Sequence, residues 1–200
     1  GKSFIAGADI KEMDGCIGLE IVEYSKKGMK LFRKIETMGK VTIAAINGFA
    51  FGGGFEFALC CDLRVASEKA KLRLPEVTLG IVPGFNGTQR LPKLVGMTKA
   101  KEIIFTGKML TAADALDLDI LNKVTPVDQL LPEVYALANQ IADNSASALA
   151  LTKAAITYGA ECDIEIGMNI EVGYMAACFG TPDQIEGFNS FKERRPAKFR

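Results

Sequence analysis

The sequence has no histidine and no tryptophan, and its 24 basic side chains balance 24 acidic ones, leaving no net charge. Without imidazole there is no Ser-His-Asp or Cys-His nucleophile pair, no histidine base and no zinc site of the common His-containing types. Acid-base work falls to carboxylates, lysine, tyrosine or cysteine. A balanced charge gives no general pull toward nucleic acid or an anionic membrane. Cysteine is sparse: Cys16, Cys60, Cys61, Cys162 and Cys178 form an odd count with no CxxC spacing and include an adjacent pair. They read as reduced, core-filling residues of an intracellular protein rather than a disulfide framework. A clean membrane-spanning run is lacking too. The most apolar stretch, Val41 to Cys61, is interrupted by Asn47, a glycine cluster and Glu56, which suits a buried segment of a globule.

What is present is an ordinary globular composition, 48% hydrophobic and 24% charged over 200 residues. A chain of this length can bury most of its unfolded surface in one core. It begins Gly1-Lys2-Ser3-Phe4, with neither an initiator methionine nor a charged-then-apolar presequence, and so reads as the middle of something longer.

Phe4 to Ala6 ends a short strand, and Asp9 with Glu12 suits a capped helical turn. From Leu19 to Met38, apolar residues recur at Val22, Met29, Phe32, Ile35 and Met38, a spacing that predicts an amphipathic helix. Val41 to Ile46 is a buried strand by preference. Asn47-Gly48 turns the chain, and Gly52-Gly53-Gly54 opens a helix to about Cys61. Strands follow at Asp62 to Ala66 and Lys71 to Leu74. Beyond the Pro83 to Gly87 loop the pattern is helical: Thr88 to Val95, Thr98 to Phe105, and Thr111 onward with Asp114 completing a capping box. One strand, Leu121 to Thr125, precedes helices near Val127 to Asp143, Ala146 to Tyr158 and Ile164 to Phe179, and Pro182 opens the last. The expected organisation is an α/β core over residues 1–125 and a helical region over 126–200 that needs a partner surface.

Chemistry is expected at four places. Asn47 to Glu56, NGFAFGGGFE, joins three glycines to a helix start, where unpaired N–H groups favour a bound anion or an oxygen that gains charge during a reaction. The plainer alternative is a glycine-capped helix with Glu56 completing the cap. GxGxxG fails because residue 57 is Phe, and no phosphate-loop motif occurs. Leu74-Pro75-Glu76 places a carboxylate after proline, which in isolation reads as solvent-facing. Ala6-Gly7-Ala8-Asp9 ends a strand in a turn that exposes the Ala8 N–H. Pro83 to Arg90 is a loop entering a helix.

In this order, AGADI (Ala6 to Ile10), NGFAFGGGFE, CDLRVA (Cys61 to Ala66) and LPEVTLGIVPGFNGTQRL (Leu74 to Leu91) resemble the enoyl-CoA hydratase, or crotonase, family. The likeness continues through FTGK (Phe105 to Lys108) to FKERRPAKF near the end. It implies a spiral of ββα units with a C-terminal helical trimerisation region. It also implies that the family's N-terminal part, which helps bind the adenine end of coenzyme A, is missing.

Carried over residue by residue, the resemblance implies that the Ala8 and Gly53 N–H groups form an oxyanion hole for the thioester carbonyl. Glu56 and Glu76 become the catalytic carboxylates, Glu56 activating water and Glu76 protonating Cα. Ala6, Asp9, Ile10, Gly52, Pro75 and Gly84 become substrate-binding residues. The implied reaction is reversible hydration of a short-chain trans-2-enoyl-CoA to 3-hydroxyacyl-CoA, in fatty-acid oxidation or butyrate-type metabolism. No metal or separate cofactor is expected, coenzyme A being part of the substrate. The expected partners are the acyl-CoA thioester and further copies of the chain, in a trimer or a dimer of trimers, with no membrane and no nucleic acid. The expected setting is the bacterial cytoplasm, with a mitochondrial matrix as the other possibility. The alternatives are an enoyl-CoA isomerase of the same fold and a noncatalytic RNA-binding or scaffold member.

Four residues depart from the family pattern: Phe55 and Phe57 beside Glu56, Leu74 before Pro-Glu, and Asn86 in the PGxGGTQR loop. Bulkier, more apolar neighbours are expected to raise the carboxylate pKa or reshape the acyl pocket. The stripe Lys26, Lys27, Lys30, Arg33 and Lys34, bracketed by Glu23 and Glu36, reads as a solvated helix face.

Overall fold

The computed structural model describes residues 1–199. The chain divides into two compact units, one formed by Gly1–Glu36 with Thr42–Val134, the other by Thr37–Val41 with the chain from Tyr135 onward. The first unit therefore runs past residue 125 into the helix that begins at Leu130.

In the first unit the strands are β1 (Ser3–Ile5), β2 (Ile43–Ile46), β3 (Phe49–Phe51), β4 (Leu63–Ser67), β5 (Lys71–Arg73), β6 (Leu110–Thr111) and β7 (Lys123–Thr125). Its helices are α1 (Ile10–Met13), α2 (Leu19–Thr37), α3 (Gly53–Cys60), α4 (Gly87–Thr106) and α5 (Ala112–Asp117), and α6 (Leu130–Ala142) starts in it. The strands form two sheets, ordered β1-β3-β5-β6 and β2-β4-β7. Consecutive strands β2 and β3 go to different sheets, as do β4 and β5, so each strand-strand-helix repeat adds one strand to each sheet. This is a ββα spiral. All pairings are parallel except β5 with β6.

Two strands escape the sequence pattern. β3, Phe-Ala-Phe, is too short for a period to register and buries only Ala50 fully. It exists because β1 and β5 pair with it on both sides. β6 is two residues long. Elsewhere the local signals hold. Asp9 caps α1, Thr111 and Asp114 form a capping box, and Gly96 (φ 77°, ψ 161°) breaks α4 where two helices were expected. Ile46, Phe55, Leu72, Leu74, Leu91, Ile103 and Ile120 are completely buried and build the core, each contributing roughly 1.5–3 kcal/mol of burial.

The second unit is helical, continuing with α7 (Ala146–Gly159), α8 (Ile164–Cys178) and α9 (Pro182–Glu193). A side chain at Gly167 would stand 3.4 Å from the Gly159 carbonyl oxygen, so α7 and α8 meet on two glycines. Ser145 caps α7 and donates to Asp183 in the first turn of α9 at 2.6 Å. Lys153, nearly buried on α7, donates to the Lys40 carbonyl at 2.8 Å.

Candidate active site

β1, β3 and β5 are neighbours running the same way, so their C-terminal ends open side by side. That edge of a parallel sheet is where ligands bind in α/β folds. Beyond β1 comes Ala8, beyond β3 come Gly53 and Glu56, and beyond β5 comes Glu76. Phe51 pairs with Arg73 in register, and the Gly52 N–H donates to the Arg73 carbonyl at 2.9 Å. This register brings Pro75-Glu76 next to the glycine triplet.

The three glycines answer three different demands. Gly52 precedes α3 at φ 51°, a left-handed value that favours glycine. Gly53 is the first helical residue, and a side chain there would meet the Phe85 ring at 3.1 Å and the Ala8 nitrogen at 3.6 Å. Gly54 backs onto the Ile5 carbonyl so closely that a Cβ would overlap it. The first amides of a helix lie outside its hydrogen-bond ladder, and Ala8 lies in the link between β1 and α1. Neither the Ala8 nor the Gly53 N–H has an acceptor among the described residues. Two adjacent main-chain donors therefore stand together at the positive end of a helix.

Glu56, in the first turn of α3, is 1% exposed. It does not cap its own helix. Its Oε1 accepts from the Phe85 N–H at 2.9 Å, on the loop before α4, and from the Gly87 N–H at 2.7 Å, at the first residue of α4. Burial raises its pKa, while these two bonds and the nearby Arg90 charge pull the other way. Glu76 opens a 3-10 turn, Glu76–Leu79, and is 7% exposed rather than solvent-facing. Its Oε1 lies 3.0 Å from where a side chain on Gly52 would begin, and its Oε2 is buried without a hydrogen-bond partner among the described residues. Burial pushes its pKa up to about 7; its own N–H opposes that, and the Glu56 charge adds to it.

Both carboxyl groups line one cavity of about 950 Å³. Ala6, Ala8, Ile10, Gly52, Gly53, Pro75 and Gly84 line it too. Asp9 does not: its side chain accepts from the Lys11 N–H at 2.9 Å and serves α1. Phe55, Phe57 and Leu74 are also absent from the lining. Phe55 and Leu74 are core residues, and Phe57 packs edge-on against Phe32. These three departures lie in or against the core and not on the cavity. Asn86 takes the left-handed conformation, φ 74°, just before α4.

The expectations missed the cavity's other wall, which carries Met13, Cys16, Ile21, Tyr24 and Ser25 from α1, α2 and their link, and Phe85. One signal was available. Gly28 lies inside α2, where glycine costs about 1 kcal/mol relative to alanine, and a side chain there would overlap the Phe85 ring. Lys26, Lys27, Lys30 and Lys34 are exposed, and Arg33 pairs with Glu36 at 2.9 Å.

Comparisons with known proteins bear on the family and the fold. Residues 1–200 match the family described as enoyl-CoA hydratase/isomerase. A crotonyl-CoA hydratase of Syntrophomonas wolfei is 48% identical over 198 residues, covering 99% of this chain and 76% of that protein. A short-chain-enoyl-CoA hydratase of Clostridium acetobutylicum is 45% identical over 194 residues, covering 97% and 74%. The crystal structure of an enoyl-CoA hydratase from Bacillus anthracis superimposes with a TM-score of 0.94 at 38% identity, covering 100% of this chain and 78% of that one.

Proposed function

The chain belongs to the enoyl-CoA hydratase/isomerase family, and from that premise we propose that it adds water reversibly across the double bond of a short-chain trans-2-enoyl-CoA. The observation that carries this reading is the pair of buried carboxyl groups, Glu56 and Glu76, on one cavity beside two uncommitted main-chain donors. Names of relatives from Syntrophomonas and Clostridium support crotonyl-CoA and other short-chain enoyl thioesters as substrates.

The chemistry needs three things at once. Water attacks Cβ and loses a proton, negative charge moves onto the thioester oxygen, and Cα gains a proton. Glu56, whose pKa burial raises against the pull of two N–H groups and a nearby cation, takes the proton from water in its ionised form. Ala8 and Gly53 N–H groups receive the developing oxyanion, a role in which one donor is worth about 10²–10³ in rate. Glu76, protonated below about pH 7, delivers the proton to Cα. Microscopic reversibility exchanges the two roles in dehydration. An isomerase of this fold moves one proton with one base, so the second carboxyl group favours hydration.

Homo-oligomerisation belongs to the same proposal. The second unit's α8 exposes Met168, Val172 and Met175 at 59–67%, and such side chains would supply the contacts of a trimer or pair of trimers, which light scattering would read as a multiple of the chain mass. The bacterial relatives at 45–48% identity favour a cytoplasmic setting, and relatives named as mitochondrial at 39–41% identity keep the matrix as the alternative. Among the described residues no helix is long and apolar enough to cross a membrane.

Mixing the protein with crotonyl-CoA should remove the absorbance of the conjugated thioester. Persistence of that absorbance at enzyme concentrations where substrate binding is saturated would refute the reading.

A further inference from the structure

We propose that Arg90, clasped by Glu36, is the positioning residue of Glu56: it fixes the loop backbone whose N–H groups hold the catalytic carboxylate. Arg90 lies in the first turn of α4, and its side chain is 10% exposed. All three guanidinium nitrogens are committed. Nε donates to Glu36 Oε1 at 3.1 Å, Nη2 to Glu36 Oε2 at 3.2 Å, and Nη1 to the Phe85 carbonyl at 2.9 Å. Glu36 stands near the end of α2 and also accepts from Arg33 at 2.9 Å. The first two bonds form a fork on one carboxylate, a geometry that guanidinium supplies and ammonium does not.

The third bond gives the fork its purpose. Phe85 offers its carbonyl to Arg90 and its N–H to Glu56 Oε1, so the same residue is gripped on both sides. Two residues on, Gly87 donates the second N–H to Glu56. Asn86 between them is left-handed, φ 74°, with no side-chain bond to its own helix, so its side chain adds nothing to hold the bend. The route from α2 to the carboxylate is thus Glu36, Arg90, Phe85, Glu56, entirely within the first unit.

Arg90 also places a cation near Glu56, opposing the effect of burial. The other titratable groups around Glu56 are Glu76 from the 3-10 turn, Glu36 and Tyr24 from α2, Asp14 and Cys16 on the cavity wall, and Cys60 on its own helix. β1 and β3, which pack on α3, carry none. Among these groups Arg90 is the cation.

This inference rests on Glu56 as the base that activates water, and the test separates the two ideas. Steady-state hydration of crotonyl-CoA is measured against pH for Arg90→Gln, Arg90→Lys, Glu36→Gln and Glu56→Gln. Arg90→Gln should lower kcat by about 10–100-fold with KM nearly unchanged, and should move the acid limb of kcat/KM upward by about one unit. Arg90→Lys keeps the charge and loses the fork, so it should restore the acid limb while recovering only part of kcat. Glu36→Gln should lower kcat by about 3–10-fold at parent KM. A folded Arg90→Gln protein with parent kcat, or with reduced kcat and the parent acid limb, would overturn the proposal. If Arg90→Gln does not fold, parent kcat in Glu36→Gln overturns it instead. Parent turnover in Glu56→Gln would sink the assignment of the base itself, whereas an inactive Glu56→Gln beside an unaltered Arg90→Gln would sink only the role of Arg90.

Discussion

Glu56 and Glu76 follow neighbouring parallel strands and open on the same cavity, yet their surroundings differ in kind. Glu56 is tied down, with two N–H donors on Oε1 and an arginine near by. Glu76 is almost as buried, but its Oε2 has no partner among the described residues, and burial pushes its pKa up to about 7. Burial alone therefore does not decide what a carboxyl group does. Burial raises both pKa values, but at Glu56 two N–H donors and the Arg90 charge oppose the rise, whereas at Glu76 only its own N–H does and the Glu56 charge adds to it. In the proposed mechanism one fold draws a base and an acid from the same residue type.

The largest effect that could break this contrast comes from removing each charge in turn. Glu56→Gln and Glu76→Gln should each lower kcat by about 10²–10⁴-fold in the crotonyl-CoA absorbance assay; a change below tenfold in either would remove that residue from the mechanism. A smaller step should follow from Gly87→Ala. Its new Cβ would lie 2.9 Å from Glu56 Oε1 and 3.0 Å from Cγ, displacing the base while leaving Glu76 in place, and a loss of about 10–100-fold in kcat is expected. Unchanged turnover there would mean that the two-donor grip is not needed.

The pH dependence sharpens the contrast further. Hydration needs Glu56 ionised and Glu76 protonated, so kcat/KM should fall at low pH as Glu56 gains a proton and at high pH as Glu76 loses one. The basic limb belongs near pH 7, with both limbs reporting the coupled pair. The same shift has a cost in stability. A carboxyl group whose folded pKa exceeds its unfolded value binds more protons when folded, so its contribution is most favourable below about pH 4.5 and is lost as pH rises through about 7. Glu76→Gln should accordingly raise stability at pH 8, by roughly 1–2 kcal/mol once the shift is discounted for the open cavity edge. Equal denaturation midpoints for parent and variant at pH 8 would show that the unpaired acid is not strained. The smallest effect is expected at Asn86. Asn86→Gly relieves a left-handed residue at φ 74° and should stabilise by about 0.5 kcal/mol, visible as a small rise in melting temperature.

How much of this was legible in the sequence follows from the range of the interactions. Asp9, Ser145, Thr181 and the Thr111-Asp114 box act within a single turn, so their elements could be read directly. The glycine triplet before Glu56 was legible for the same reason. Glu76 was not: as a residue after proline it looks solvated, and only the β3–β5 register and the Gly52 to Arg73 bond carry it to the cavity. β3 was hidden because both neighbours, not its own side chains, define it. The α2 wall was hidden because its lysines face solvent while Tyr24 and Ser25 meet the cavity. The family resemblance pointed to Glu56, Glu76, Ala8 and Gly53, which line the cavity, and to Asp9, which does not line it and caps α1.

The most direct measurement of the central claim is isotopic. Crotonyl-CoA is turned over in water labelled with heavy oxygen and deuterium, and the product is read by mass spectrometry. The account predicts one heavy oxygen on C3 and one deuterium on C2, with both labels suppressed together in Glu56→Gln and Glu76→Gln. Deuterium exchange or double-bond migration without a heavy oxygen would contradict it, because the two carboxyl groups would then move protons without adding water.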